Sequence, residues 1–117
     1  MSWKIDARIP VTITDQPPAL AGPVALLAEE ALPESVPASS LAAIFRADEA
    51  LAHPTNCACC NGQGAAAAAL AALFRERALG GAWFTCVVAL VRTAEGRAEL
   101  EDALTHDILT VARFRRA

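Results

Sequence analysis

Trp83-Phe84-Thr85-Cys86-Val87-Val88-Ala89-Leu90-Val91 is an aromatic-led, β-branched run of the length of a buried parallel strand. Its neighbours on either side decide the fold class. Upstream, Leu70, Leu73, Phe74 and Ala78 fall on one helical face with Arg75, Glu76 and Arg77 mostly outside it, and Gly80-Gly81 supplies a stop. Alanine has the highest helix propensity, so the alanines of 65–69 belong to the same helix. Downstream, Leu100, Leu104, Ile108 and Val111 mark a second amphipathic helix, expected over 99–116. Its first turns carry Glu99, Glu101 and Asp102 and its end carries arginines, both favourable to the helix dipole. Strand, turn, helix, strand, helix is the grammar of an α/β fold. The chain is expected to build a small, mostly parallel sheet with flanking helices.

The first half of the chain supplies further strands. Ile9, Val11 and Ile13 alternate with Pro10, Thr12 and Thr14, a short strand with Pro10 at its start or on an edge. Asp15-Gln16-Pro17-Pro18 breaks it. Pro23-Val24-Ala25-Leu26-Leu27-Ala28 is a continuous apolar run that reads as a buried strand, with helix as the other option. Residues 29–40 hold two prolines and two adjacent serines and are expected to be irregular. Residues 41–46 read as a short helix, followed by a strand ending near His53-Pro54.

With 117 residues the chain is one domain, 1–117, long enough for a single core without disulfides. Apolar residues make up 55% but aromatics only 5%, so the core is aliphatic. A net charge of -3 gives no basic footprint for nucleic acid. Arg113, Arg115 and Arg116 read as a solvated helix terminus. Met1-Ser2-Trp3-Lys4-Ile5-Asp6-Ala7-Arg8 lacks the apolar segment of a signal peptide, and no uncharged apolar run approaches the roughly eighteen residues of a membrane span. A cytoplasmic protein is expected, where thiols stay reduced.

Against that background Asn56-Cys57-Ala58-Cys59-Cys60-Asn61 stands out. Adjacent side chains in a turn cannot all point into one apolar face, whereas thiolates are preferred ligands of zinc and other soft or borderline metals. Cys57 and Cys60 have the spacing of a chelating pair, and Cys59 is a third donor. His53 is the nearest candidate for a fourth. Redox chemistry between Cys57 and Cys60, or idle inherited thiols, are the competing readings. Cys86 lies inside the apolar strand and reads as a core thiol. Glu29, Glu30 and Glu34 have no partner base in view and read as a solvated loop.

The order of these pieces resembles the CobW-type GTPases and metallochaperones. That family has a strand leading to an Asn-Gly-Cys-x-Cys-Cys turn, a helix rich in Leu, Ala and Arg, and a Val-Val strand; here these match Asn56-Cys57-Ala58-Cys59-Cys60, the helix from Gly64 and the strand after Trp83. Ile9-Pro10-Val11-Thr12-Ile13-Thr14 resembles the family's first strand, and Pro23-Val24-Ala25-Leu26-Leu27-Ala28-Glu29-Glu30 its second, which ends in Asn-Glu; that match suggests Glu30 as a further metal donor. The resemblance spans roughly 8–116 and implies a truncated P-loop GTPase core.

The departures define the expected function. Where the family carries Gly-x-x-x-x-Gly-Lys-[Ser/Thr], this chain has Asp15-Gln16-Pro17-Pro18-Ala19-Leu20-Ala21-Gly22, and no lysine follows Lys4. The glycine-lysine loop that cradles phosphates is missing, so no GTP binding and no enzymatic activity are expected. Leu90-Val91-Arg92-Thr93 stands where the family has Glu-Thr-Thr-Gly, and Asn56 where it has glycine before the first cysteine. The resemblance thus implies a degenerate member that keeps the cysteine motif. Its expected role is that of a small cytoplasmic metal-binding protein (a carrier, buffer or sensor) for Zn(II) or another divalent transition metal, with Cys57, Cys59, Cys60, His53 and Glu30 as the candidate ligands. A metal-recipient protein would be its partner. The alternative is a non-catalytic pseudo-GTPase module that forms a homodimer or binds a full-length CobW-like partner, because losing the first crossover helix leaves a sheet face short of cover.

Overall fold

The computed structural model describes residues 7–16, 22–33, 41–46, 64–80 and 83–117. Among them five strands form one all-parallel sheet: β1 (Ile9–Thr14), β2 (Val24–Glu29), β3 (Ala42–Phe45), β4 (Cys86–Leu90) and β5 (Phe114–Arg116), in the spatial order β3-β2-β4-β1-β5. Helices α1 (Ala65–Ala78), α2 (Ala94–His106) and α3 (Ile108–Arg113) complete the described elements. The α/β class and the parallel sheet read from the sequence are therefore those of the protein.

The continuous apolar runs belong to the central strands. β4 is flanked by β1 and β2, with Val11 opposite Val87 and Ala25 opposite Val87 from the other side. A strand buried on both faces has no use for alternation, which is why Leu26, Leu27 and Ala28 are all fully buried. Pro10 precedes the β1–β4 pairing, which begins at Val11, so its missing N–H breaks no bond of the central ladder.

The β3-to-β4 and β4-to-β5 connections advance along the sheet in the same direction. Right-handed crossovers then put their helices on one face, and α1 indeed packs against both α2 and α3. Beneath them lies the core: Ile9, Val11, Ala25, Leu27, Phe45, Val87, Ala89 and Phe114 from the sheet against Leu70, Leu73 and Leu100 from the helices. Phe114 meets Phe74 edge-on at 6.1 Å between ring centroids. The link from β1 to β2, residues 15–23, is shorter than the dozen or more residues of a helical crossover. Leu26, Ala28 and Leu90 are nonetheless buried on the face turned away from the helices, while Ile44 at the sheet edge is 48% exposed.

Three sequence readings are corrected. The segment read as a helix at 41–46 contains β3, because Leu26 to Glu29 offer it a parallel ladder at the sheet edge that outweighs local preference. The strand expected from Trp83 begins only at Cys86; Trp83 is 64% exposed and Phe84 alone of the aromatic pair is buried. The single helix expected over 99–116 is two helices and a strand. Asp107, with φ -75° and ψ 117°, ends α2 and caps α3, its Oδ2 accepting from the Thr110 amide (3.0 Å) and hydroxyl (2.7 Å). The arginines beyond Arg113 then belong to β5, where Arg116 reaches Glu101 of α2 at 3.3 Å. Among the described residues no helix is long and apolar enough to cross a membrane.

Candidate functional site at the carboxyl edge of the sheet

In open parallel sheets, ligands bind beyond the carboxyl ends of the strands, because loops there can converge without disturbing the core. In this chain that edge carries Asp15 after β1, Glu30 after β2, Arg46 after β3 and Val91-Arg92-Thr93 after β4. Its most densely hydrogen-bonded feature is Glu29, the last residue of β2. Ala25 and Leu27 face the helices, and the two-residue period carries Glu29 onto the same buried face, where it is 1% exposed.

A buried carboxylate must be satisfied, and this one is. Oε1 accepts from the Arg92 amide (2.7 Å) and the Thr93 amide (3.0 Å), and Oε2 from the Thr93 hydroxyl (2.6 Å). Arg92 also donates through Nε to the Glu29 carbonyl at 3.3 Å. Thr93 is the N-cap of α2, its hydroxyl accepting from the Gly96 amide at 2.9 Å. The carboxylate therefore sits at the positive end of the α2 dipole. Burial pushes its pKa up. The Thr93 hydroxyl, the Arg92 and Thr93 amides and the Arg92 charge pull it further down, leaving the carboxyl below its usual value. Gly96 makes the arrangement fit: a Cβ there would collide with Oε1 and Cδ of Glu29. Held by three hydrogen bonds from the α2 N-terminal turn, the Glu29 carboxylate is a latch between β2 and α2. The sequence reading of Glu29 as part of a solvated loop is corrected accordingly; the signal that finds it is the period of β2 carried one step further.

Glu30 is its opposite. It is exposed and holds φ 72°, the left-handed region that a glutamate adopts only at some cost. Its amide donates to the Phe45 carbonyl at 2.8 Å, tying it to the end of β3. Of the five candidate metal ligands it is the one within the described residues; His53, Cys57, Cys59 and Cys60 lie outside them, as does Glu34. Among the described residues no group of three or more His, Cys, Asp and Glu side chains is disposed to hold a metal. Cys86 opens β4, half-buried and with a free thiol, on the sheet face turned away from the helical core. It is thus a less interior residue than its apolar context suggests.

The start of α1 is also committed. Its N-cap, Gly64, has no side chain to offer, and Glu99 of α2 caps it instead, Oε1 accepting from the Ala66 amide at 3.3 Å. At the other end of α1, Arg77 donates to the Phe84 carbonyl (2.8 Å) and lies over the Trp83 ring, 3.8 Å from its centroid. Comparison with protein-family models, curated proteins and solved structures returned no match. What can be said of function rests on the residues themselves.

Proposed function

We propose that the chain is a small metal-binding protein, a carrier, buffer or sensor for Zn(II) or a related divalent ion, with Cys57, Cys59 and Cys60 as thiolate donors and no GTPase activity. One observation carries the reading. The three cysteines lie in the stretch that leaves β3 after Phe45 and enters α1 at Ala65, and the exposed, strained Glu30 is hydrogen-bonded to that same Phe45. A carboxylate on a costly backbone conformation, tied to the strand that precedes the cysteines in the chain, is the kind of strain that function retains.

The donor set suits the ion. Three thiolates satisfy the soft side of zinc, and a carboxylate or His53 would complete a tetrahedron. A fourth position held by a weak or exchangeable donor suits handing metal on to a recipient protein, whereas a closed set of four strong donors suits a structural ion. Redox work is less well supported. A reactive thiol draws on a helix N-terminus to lower its pKa, but α1 is capped at Gly64, beyond Cys60, and the Glu99 carboxylate already accepts from its Ala66 amide. GTP hydrolysis finds no support in residues 15–22, where Gly22 stands alone and no lysine is present. A cytoplasmic, reducing location would keep the thiols available.

Titration of the reduced protein with Co(II), read by thiolate-to-metal absorption, tests this. The wild type should develop the band, with proton release and weaker binding as pH falls, because every ligand thiol must ionise. Replacing Cys57, Cys59 and Cys60 together by serine should abolish it, while Cys86→Ser should leave the stoichiometry unchanged. Glu30→Gly separates ligand from scaffold: it removes the carboxylate but relieves the φ 72° backbone, so affinity should fall while Tm holds or rises. A wild-type chain without absorption, or a band that survives the triple substitution, would refute the proposal.

A further inference from the structure

The break at Asp107 has a second effect, on the surface of the protein. A continuous helix would keep Ile108 in line with Leu100 and Leu104. The new start at α3 turns Thr110 inward instead, to 3% exposure, and leaves Ile108 and Leu109 85% and 50% exposed. Facing them across an open groove of about 680 Å³ are Phe74, Ala78 and Leu79 from the end of α1, with Leu79 76% exposed. Isolated apolar residues on a surface mean little, but several lining one concavity mark a place where something docks.

The charges around the groove say what docks. Arg75 and Arg113 line it, and Arg113 lies over the Phe74 ring, 4.4 Å from its centroid, so its charge is held at the apolar wall. Among the described residues the one carboxylate in the lining is Asp107, whose Oδ2 accepts from Thr110 in capping α3, so its single charge is outnumbered by the two arginines. The groove is therefore apolar with a cationic rim on a chain whose net charge is -3. A second copy docking by this surface about a two-fold axis would bring four arginines against two aspartates around one apolar contact, an excess of like charge that disfavours it. We propose that the groove between α1 and α3 receives an amphipathic helix of a partner protein, with an apolar stripe in the groove and acidic side chains on either side meeting Arg75 and Arg113. Such a helix-in-groove contact places anchors at i, i+3 and i+4 and leaves orientation to the rim charges.

The test uses the full-length chain and two synthetic helical peptides about five turns long with one leucine stripe, one flanked by glutamate and the other by lysine. Binding is followed by calorimetry at low and high salt. The acidic peptide should bind at least about tenfold more tightly than the basic one, with the preference shrinking as salt rises. Ile108→Ser with Leu109→Ser should weaken the acidic peptide about tenfold or more at a small cost in Tm, since Ile108 is mostly and Leu109 half in water, and Ile108→Ser alone should weaken it with Tm unchanged. Arg75→Glu should narrow or reverse the charge preference. Equal affinity for both peptides, binding to neither, or binding indifferent to the Ile108 and Leu109 changes would overturn the proposal. So would light scattering that finds a dimer which those same changes dissolve into monomers, because the occupant would then be a second copy.

Discussion

Replacing Glu29 by alanine should cost the protein a large part of its stability. The side chain accepts three hydrogen bonds, from two backbone amides and a hydroxyl, while 1% exposed. A hydrogen bond to a charged group is worth about 1.5–3 kcal/mol, and buried donors left orphaned lose about 1–3 kcal/mol each. Water entering the vacated space offsets part of the sum, so the expected loss is about 3–5 kcal/mol, the range for breaking a buried charged pair. At about 4 °C per kcal/mol for a domain of this size, Tm should fall by about 12–20 °C. Glu29→Gln should be milder, about 1–2 kcal/mol: its carbonyl can still serve both amides, but the charge at the α2 N-terminus is gone and the Thr93 hydroxyl must turn round. The pH dependence adds an independent check. The folded pKa of Glu29 lies below its usual value, so the stability due to its ionisation is complete above the unfolded value of about 4.3. It is lost as pH falls through the lower folded value. Glutamine has no such component, so the gap between wild type and Glu29→Gln should narrow as pH drops through that interval. Thermal unfolding followed by circular dichroism, with a chelator present to exclude metal effects, reads both quantities. A Tm loss under about 4 °C for Glu29→Ala, or a wild type and Glu29→Gln that differ equally at pH 7 and pH 3, would refute the latch.

Gly96→Ala sets helix propensity against sterics. Alanine gains about 1 kcal/mol in a helix interior, but its Cβ would collide with the Glu29 carboxylate, so a net loss of about 1–3 kcal/mol is expected in urea unfolding, and a stabilised variant would contradict the packing. Asp107→Ala removes both bonds that start α3 and should cost about 1 kcal/mol or more, with faster amide exchange in α3 and β5 than in α1; uniform exchange would show that the cap does not hold that end in place. Phe114→Ala, at a fully buried position packed edge-on against Phe74, should cost about 3–5 kcal/mol by the same unfolding measurement, and a loss under 1 kcal/mol would mean that β5 is peripheral. GTP with magnesium should give no heat of binding in calorimetry, and micromolar affinity would overturn the reading of residues 15–22 as lacking a phosphate cradle.

The sequence by itself determined the fold class and most of the sheet. Alternation in 9–14 and the run through Val87 and Val88 read as strands, the apolar run ending at Ala28 as a strand with helix as the other option, and β1, β4 and β2 are where those patterns lie. The thiol cluster also stands out in the sequence, because donor chemistry is written in residue type and spacing, whereas Glu30 is suggested only by a family resemblance. Tertiary structure alone decided the rest. β3 is a strand because β2 presents an open ladder to it, a fact that residues 41–46 do not contain. Glu29 and Glu30 are adjacent and chemically identical, yet one is a buried latch and the other an exposed carboxylate on a left-handed backbone. The difference is the position of the α2 N-terminus and Gly96, more than sixty residues along the chain, which supplies donors to one side of β2 only. In the sequence the apolar period of the last helix runs unbroken across Asp107. A capping side chain that satisfies Thr110 locally restarted the helix, and that restart put Ile108 in water and Phe114 in the core. Local pattern specifies which elements form; which side chains meet at their ends depends on contacts between residues far apart in the chain.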